Sequence, residues 1–121
     1  MANYVTFETP KDLSEKVYNA IEAVVRSGSI RKGTNEVTKA IERGTAKLVV
    51  IAEDITPEEI VMHLPILCKE KAVPFAFVPT RQELGAACGI SVSTATVAVD
   101  DLGKAGKIVE DVVNALKGLQ K

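Results

Sequence analysis

The chain has 121 residues, of which 46% are hydrophobic and 26% are charged, and its formal net charge is −1. These values are ordinary for a globular protein and argue against an intrinsically disordered chain. The length indicates one domain over residues 1–121, which can bury a core without a disulfide or a metal. The nearly neutral balance argues against a protein that coats nucleic acid by bulk charge.

The cysteines and the N-terminus bear on the cellular compartment. Cys68 and Cys88 each lie in an apolar stretch and form no C-x-x-C pair, which indicates two small buried hydrophobic residues in a reducing compartment. The first residues resemble no signal peptide. The longest apolar run, Leu48–Ala52, is far too short to span a membrane. We therefore expect a cytoplasmic protein.

The first helix is predicted by a capping pattern and by apolar spacing. Thr9 is a helix-capping residue, Pro10 suits the first helical position, and Asp12 closes a capping box. Apolar residues then recur at helical spacing until the helix ends at Ser27-Gly28. They are Leu13, Val17, Ile21, Val24 and Val25.

A second helix follows after a short link or small strand at Ser29–Lys32. It begins within residues 33–36, and its inner face carries the apolar residues Val37, Ala40 and Ile41. Arg43-Gly44 is a typical helix end, so we place the end of this helix there.

The rest of the chain alternates short buried strands with helices. Strands are predicted at residues 46–52, 74–78 and 94–99. Capping boxes at residues 56–59 and 80–83 open two helices, the first interrupted at Pro65 and the second ending at Gly89. A last helix carries Ile108, Val112, Leu116 and Leu119. This alternation predicts an α/β fold, namely a three-layer α/β/α sandwich with a mixed sheet of about four strands.

Motifs for catalysis and for cofactor binding are absent from the sequence. It contains no G-x-G-x-x-G or G-x-x-x-x-G-K-[ST] phosphate loop and no G-x-S-x-G nucleophile turn. The one histidine, His63, lies between Met62 and Leu64, where a core position is favoured over a role as base or metal ligand. We therefore expect no enzyme, no cofactor and no bound metal.

Charge is distributed unevenly along the chain. Residues 26–47 hold six basic side chains and two acidic ones, whereas residues 53–60 hold four acidic side chains and no basic one. This pattern fits a local basic surface on a protein kept soluble by acids elsewhere. It fits two solvated faces of opposite sign equally well.

The start of the second helix is a candidate site for phosphate and RNA. Lys32 and Gly33 directly precede a helix N-terminus, which presents free N–H groups to anions. Asn35 and Glu36 lie in the first turn of this helix. An amide offers a donor and an acceptor together, and a carboxylate accepts from base amino groups, so this pair can read base edges.

Two further basic side chains on the same helix fit phosphate binding, although a purely structural role also fits the residues at the start of this helix. Lys39 and Arg43 are four residues apart and so share a helix face, from which they can hold phosphates. Alternatively, Thr34 or Asn35 merely caps the helix while Glu36 complements its dipole.

The aromatic content limits how RNA could be bound. The chain has two tyrosines, three phenylalanines and no tryptophan. Proteins that grip single strands usually stack bases on aromatic rings. We therefore expect any bound RNA to be a folded element that is read by its shape and base edges.

Several blocks of the sequence resemble one family. Residues Lys32-Gly33-Thr34-Asn35-Glu36-Val37-Thr38-Lys39 resemble the archaeal large-subunit ribosomal protein of the L-seven-Ae type, whose family includes the eukaryotic eL-eight and NHP-two-like proteins and binds kink-turn RNA. The resemblance continues in order over essentially the full chain. Other matching blocks are Glu42-Arg43-Gly44, Val50-Ile51-Ala52-Glu53-Asp54, Pro57-Glu58-Glu59-Ile60, His63-Leu64-Pro65 and Leu84-Gly85.

The resemblance implies an α/β/α sandwich that recognises the kink-turn, a sharply bent RNA element with tandem sheared G·A pairs and a bulge. The family's first contact surface corresponds here to Lys32, Gly33, Thr34, Asn35, Glu36 and Lys39. By likeness, the last three contact the guanines of the G·A pairs, and the first three bring the helix tip to the RNA backbone.

A second surface implied by the resemblance takes the flipped-out bulge nucleotide. It would include Ile60, Arg81 and the loop residues Ile90, Ser91 and Val92. The two aliphatic side chains Ile60 and Val92 would pack on the base, while Arg81 would reach its phosphate or edge. The loop sequence departs from the patterns common in the family.

The resemblance also implies partners. These are ribosomal RNA of the large subunit, box C/D and H/ACA guide RNAs, ribonuclease P RNA, and other proteins of the guide ribonucleoproteins. We expect a monomer and no membrane partner. Two alternatives from other classes are a protein-interaction module of the same fold without strong RNA binding, and a small-ligand or nucleotide-binding α/β protein.

Overall fold

The computed structural model describes residues 4–119 of the chain. In chain order the elements are α1 (Lys11–Ser27), β1 (Ser29–Lys32), α2 (Thr34–Arg43), β2 (Leu48–Ala52), a 3-10 turn (Glu58–Ile60), α3 (His63–Glu70), β3 (Phe75–Val78), α4 (Arg81–Ala87), β4 (Thr96–Asp101) and α5 (Gly106–Leu119). Each predicted strand is present, and β4 lies two residues further along the chain than predicted. No helix within the described range is both long enough and apolar enough to cross a membrane.

The four strands form one mixed sheet in the order β1-β4-β2-β3. Strand β4 pairs antiparallel with β1 on one side and with β2 on the other, and β2 pairs parallel with β3. Strands β1, β2 and β3 therefore all run in one direction. Their C-terminal ends lie beside the N-terminal end of β4, and we call this position the upper end of the sheet.

Helices cover both faces of this sheet. Helix α1 packs against α4 and α5 and contacts β1, β3 and β4, whereas α2 packs against α3 and contacts β1 and β4. Every residue of β2 and β3 is buried, as their continuous apolar sequences predict. The predicted α/β sandwich with a four-stranded mixed sheet is confirmed.

All three phenylalanines are in one core cluster. The ring centroid of Phe7 lies 5.6 Å from that of Phe75 and 5.0 Å from that of Phe77, and the two strand residues lie 5.7 Å apart. Tyr4 joins the cluster at 6.3 Å from Phe77. Tilted and edge-on ring pairs of this kind add stability beyond the area that they bury, so the cluster fastens the N-terminal segment to β3.

Only one of the three predicted capping boxes forms its cap. The Oγ1 atom of Thr80 accepts a hydrogen bond from the backbone N–H of Glu83 at 3.1 Å, as predicted for α4. The predictions for Thr9 and Thr56 are wrong. Each precedes a proline whose extended backbone, with ψ of 150° and 152° respectively, takes the N-cap position itself. The threonine is thereby moved one residue out of reach of the free N–H groups.

The region around the histidine also differs from the prediction. The helix expected to start after residue 56 is a 3-10 turn, Glu58–Ile60, and α3 begins only at His63. Pro65 is accommodated in the first turn of α3, where no intrahelical N–H is needed. His63 is exposed rather than part of the core, and its Nε2 atom lies 2.9 Å from Oγ1 of Thr38.

The predicted burial of the cysteines is confirmed, since Cys68 and Cys88 are both buried and free. Burial raises the pKa of Cys68 to about 12. Burial also raises the pKa of Cys88 to about 11, although the charge of Lys32 acts in the opposite direction. Both thiols therefore stay protonated at neutral pH, which is the unreactive form.

The hydroxyl of Tyr4 is expected to contribute measurably to stability. It donates to the carbonyl of Ala52 at 2.6 Å and accepts from the N–H of Ile55 at 3.2 Å, in a buried position. We predict that Tyr4→Phe lowers the free energy of unfolding by about 1–3 kcal/mol, because both backbone groups lose a partner that buried groups require. Urea unfolding followed by circular dichroism measures this loss.

Ser27→Ala is the matched control for Tyr4→Phe. The Ser27 hydroxyl also joins two backbone groups, the carbonyl of Ala23 at 3.4 Å and the N–H of Lys104 at 2.9 Å, but it is exposed. Water can replace it there, so the control should lose less than about 1 kcal/mol. Equal losses in the two variants would contradict the importance given to burial at Tyr4.

Candidate nucleic-acid interface

The tip of α2, by which we mean the N-terminal end of this helix, has a backbone conformation that depends on Gly33. This residue has φ of 93° and ψ of 148° and is the N-cap of the helix, a conformation that residues with a side chain rarely adopt. Its N–H donates to the carbonyl of Thr96 at 3.1 Å, and its own carbonyl accepts from Val37 at 3.0 Å. The helix start is therefore fixed to the first residue of β4, with the free N–H groups of its first turn at the upper end of the sheet.

The polar side chains predicted to read RNA are exposed at this tip. Asn35, Glu36 and Lys39 are all exposed, while the opposite face of α2 is buried against the core. Nζ of Lys39 lies 3.7 Å from Oε1 of Glu36. An exposed pair of this kind contributes little to stability, so both side chains remain available to another partner.

The other predicted residues of this surface divide into two groups. Lys32 is the last residue of β1 and Thr34 is the first of α2, so both lie at the tip. Arg43 is exposed but is the last residue of α2. At about 1.5 Å rise per residue it lies about 12 Å along the helix axis from Asn35. The structure therefore does not bring Arg43 to the tip, although it lies on the exposed side of the same helix.

Arg81 begins α4 at the same end of the sheet. Its backbone N–H donates to Oδ1 of Asp54 at 2.9 Å, and Asp54 follows β2 by two residues. This bond ties the start of α4 to the upper end of β2. The Arg81 side chain itself is exposed, so the guanidinium is presented to solvent from a fixed backbone position.

The loop at residues 90–93 is held closely against α4. The N–H of Ile90 donates to the carbonyl of Gly85 at 3.2 Å, and the N–H of Thr94 donates to the carbonyl of Arg81 at 3.2 Å. A Cβ atom at Gly85 would lie 2.2 Å from the carbonyl oxygen of Val92, which is too close for any side chain. The glycine thus lets the loop backbone lie directly on the helix.

The aliphatic residues predicted for the second surface differ in exposure. Val92 is 66% exposed and Ile60, at the end of the 3-10 turn, is 44% exposed. Ser91 is also exposed, whereas Ile90 is partly buried against the core. Val92, Ser91 and Ile60 can therefore contact a ligand directly, and Ile90 contributes mainly by anchoring the loop.

The sheet topology brings these segments to one end of the molecule. Helix α2 follows β1, the segment containing Ile60 follows β2, helix α4 follows β3, and the loop at residues 90–93 precedes β4. All of these connections leave or enter the sheet at its upper end. Except for Arg43, the predicted site residues are therefore carried by segments that begin or end there.

Two residues important for this arrangement were missed in the sequence. Asp54 is one acid of a charged stretch and the last residue of a block that resembles the family, and neither pattern signals a bond to the α4 backbone. Gly85 carried a usable signal, because a glycine inside a helix often marks the close approach of another backbone.

A carboxyl group near this end has an altered acidity. Glu53 directly follows β2 and is partly buried. Burial raises its pKa, and the negative charges of Glu8 and Asp54 act in the same direction. Since the folded state disfavours the carboxylate, this group lowers stability as pH rises through its pKa, and the effect is absent where it is protonated in both states.

The comparison with known proteins identifies the family. A model of the ribosomal protein L7Ae/L30e/S12e/Gadd45 family matches residues 15–109. The chain belongs to this family. It is a family of ribosomal and RNA-binding proteins, not of enzymes.

A solved structure with a closely similar fold is that of the Giardia lamblia 15.5kD RNA binding protein. It is 33% identical to this chain, the match covers 98% of both chains, and the TM-score is 0.87. Family membership and this similarity together support RNA binding by the present L7Ae-family protein.

Substitution of Gly85 should disturb the loop on α4. We predict that Gly85→Ala lowers the free energy of unfolding by about 1–3 kcal/mol, because the new methyl group must displace the backbone of Val92 or the helix. Gly118→Ala is the control, since a Cβ there meets nothing within 4 Å. In a helix that change should raise stability by up to about 1 kcal/mol.

Urea unfolding and amide NMR shifts of residues 90–94 measure the two effects. Gly85→Ala should move the loop resonances and Gly118→Ala should leave them unchanged. If both variants have the same stability and neither moves the loop resonances, the close packing of the loop on Gly85 is not required.

Proposed function

We propose that this protein binds RNA by recognising the kink-turn, with its tandem sheared G·A pairs and flipped bulge nucleotide, and that it stabilises the bent form. The observation that carries the proposal is the tip of α2. There Gly33, at φ of 93°, is the N-cap of the helix, and no side chain in the described part of the protein caps the N–H groups of the first turn. The side chains of Asn35, Glu36 and Lys39 are exposed beside them. This arrangement combines anion-binding N–H groups with side chains that can read bases.

On this proposal the tip residues read the G·A pairs. The Glu36 carboxylate accepts from guanine N–H groups, and the Asn35 amide both donates and accepts. Lys39 can leave its exposed pair with Glu36, at 3.7 Å, to donate to a guanine edge. Lys32 and the backbone of Gly33 and Thr34 contact the nearby phosphates, as the positive end of a helix favours.

The bulge nucleotide contacts the second surface. Val92 and Ile60 offer exposed aliphatic groups to the face of the base, and Ser91 lies beside Val92 in the loop. The Arg81 guanidinium can donate to a phosphate or to a base edge. Ile90 supports this loop from beneath.

The proposed mechanism is a shift of population between two forms of the RNA. A protein that binds the kinked form far better than the extended form raises the fraction that is kinked. The difference in affinity comes from the two surfaces together, because only the kinked form presents its G·A pairs and its flipped nucleotide to both at once. Chemistry on the RNA then belongs to other components.

The proposal extends to the particles that contain kink-turns. We propose that the whole chain acts as one RNA-binding domain, monomeric and cytoplasmic. Its targets would be ribosomal RNA of the large subunit, box C/D and H/ACA guide RNAs, and ribonuclease P RNA. The support for these targets is the family resemblance. Other proteins of the guide ribonucleoproteins would then bind to the bent RNA.

The double variant Asn35→Ala/Glu36→Ala should lose kink-turn folding without unfolding. Both side chains are exposed, so their removal leaves the core intact while it removes the groups that read the G·A pairs. Fluorescence transfer across a doubly labelled kink-turn RNA at low Mg²⁺ measures the bend. The wild-type protein should bend this RNA and should not bend an RNA in which the G·A pairs are replaced.

Glu110→Ala/Asn114→Ala is the matched control. It removes the same two side-chain types from exposed positions on α5 and should bend the RNA as well as wild type does. Bending that survives the Asn35/Glu36 change would show that these residues do not read the pairs. If wild type bends neither RNA, the kink-turn proposal fails and a protein-interaction role becomes the better hypothesis.

Arg43 should contribute one phosphate contact at a distance from the tip. For each phosphate contact, log K falls by roughly 0.7–0.9 per tenfold rise in salt. We predict that Arg43→Ala makes the dependence of log K on log salt less steep, by the roughly 0.7–0.9 that corresponds to one phosphate contact. Arg26→Ala should leave the slope unchanged, since Arg26 is exposed near the end of α1 and precedes the opposite end of β1. Titrations between low and moderate salt measure both slopes, and identical slopes for wild type and Arg43→Ala would remove Arg43 from the interface.

A further inference from the structure

A short chain of hydrogen bonds joins α3 to the first turn of α2. Nε2 of His63 lies 2.9 Å from Oγ1 of Thr38. The same hydroxyl donates to the carbonyl of Thr34 at 2.7 Å. His63 is the first residue of α3 and Thr34 is the first residue of α2. These hydrogen bonds therefore connect the N-terminal ends of the two helices.

The direction of these bonds follows from the chemistry of the groups. A carbonyl cannot donate, so the single hydroxyl proton of Thr38 lies on the bond to Thr34. The hydroxyl oxygen must then accept from His63, which requires a proton on Nε2. His63 therefore acts here as a hydrogen-bond donor, neither as a base nor as a metal ligand through this nitrogen.

The two ends of this series of hydrogen bonds lie in or beside different parts of the proposed RNA surface. Thr34 lies in the α2 tip. Ile60, which is 44% exposed, lies three residues before His63 in the segment that leads into α3. Val61 and Leu64, on either side of the histidine, are fully buried, so the position of His63 relative to this segment is fixed by the core.

We propose that His63 is a positioning residue that holds the α2 tip at a fixed place relative to the Ile60 segment, so that the two surfaces can contact one RNA together. This inference rests on the proposed function. His63 touches no RNA in this role. It acts through Thr38. Removal of its donor leaves the bond from Gly33 to Thr96 in place but removes the bond that sets the tip relative to the segment containing Ile60.

Four variants test the proposal by titration against labelled kink-turn RNA. His63→Leu removes the donor, Thr38→Val removes the hydroxyl, and a double variant removes both. His63→Gln keeps an N–H group near the position of Nε2. His63→Leu and Thr38→Val should each raise Kd by about threefold to tenfold, the range expected for one lost hydrogen bond. The double variant should be no weaker than the poorer single variant, and His63→Gln should bind within about twofold of wild type.

Thr45→Val is the matched control. The Thr45 hydroxyl also bonds to an α2 carbonyl, that of Ala40 at 3.3 Å, but at the far end of the helix. This variant should keep the wild-type Kd. Urea unfolding of all variants separates an effect on positioning from an effect on stability. Because His63 is exposed, its replacement should change the affinity for RNA much more than the free energy of unfolding.

The outcomes distinguish this inference from the function on which it rests. Wild type that fails to bind the kink-turn overturns both. Wild type that binds, with His63→Leu equally tight, overturns the role of His63 alone. The same conclusion follows if His63→Gln is as weak as His63→Leu, or if the losses of the two single variants add in the double variant.

Discussion

Strand β4 lies between β1 and β2 and pairs antiparallel with both, and the positions of the helices and loops of the candidate site follow from this pairing. It makes β1, β2 and β3 parallel to one another, so the segments that follow them emerge at one end of the sheet. The loop that precedes β4 lies at that end too. The bond from the Gly33 N–H to the Thr96 carbonyl, at 3.1 Å, then fixes the start of α2 directly to β4. Segments far apart in the sequence therefore lie at one end of the sheet.

The division between buried and exposed residues suits a binding surface whose backbone is rigid and whose side chains can change partners with little loss of free energy. The strands beneath the site are buried along their length, and the loop at residues 90–93 is fixed by hydrogen bonds and by its contact with Gly85. The polar side chains above them are exposed and take part in weak pairs at most. A partner can replace the pair between Glu36 and Lys39, at 3.7 Å, at small cost, because exposed ion pairs contribute little. The backbone that presents them need not move.

Much of the fold could be predicted from the sequence, because apolar periodicity and turn residues are local signals. The errors arise where tertiary contacts or the next residue decide. Thr80 caps its helix, but Thr9 and Thr56 do not, since each precedes a proline whose extended backbone takes the N-cap. His63 has apolar neighbours in sequence yet is exposed, because its helix begins there and turns the ring toward Thr38. The start of α2 near Gly33 could be predicted from its residues. The glycine inside α4 signals the close approach of another backbone, but neither its partner, Val92, nor the bond of Asp54 to Arg81 could be derived from local spacing.

The use of aromatic residues limits how specificity can arise on the proposed surface. Tyr4, Phe75 and Phe77 are buried and Phe7 is partly buried against them, so none of these four rings forms an exposed platform for stacking on nucleotides. The flipped base would meet the aliphatic groups of Val92 and Ile60, and such contacts distinguish poorly between bases, whose faces are all apolar. Hydrogen bonds between base edges and the Asn35 amide or the Glu36 carboxylate would discriminate more strongly, since a mismatched edge leaves polar groups unpaired. Specificity on this surface should therefore come mainly from the G·A pairs, and the bulge nucleotide should be selected by its flipped position more than by its identity.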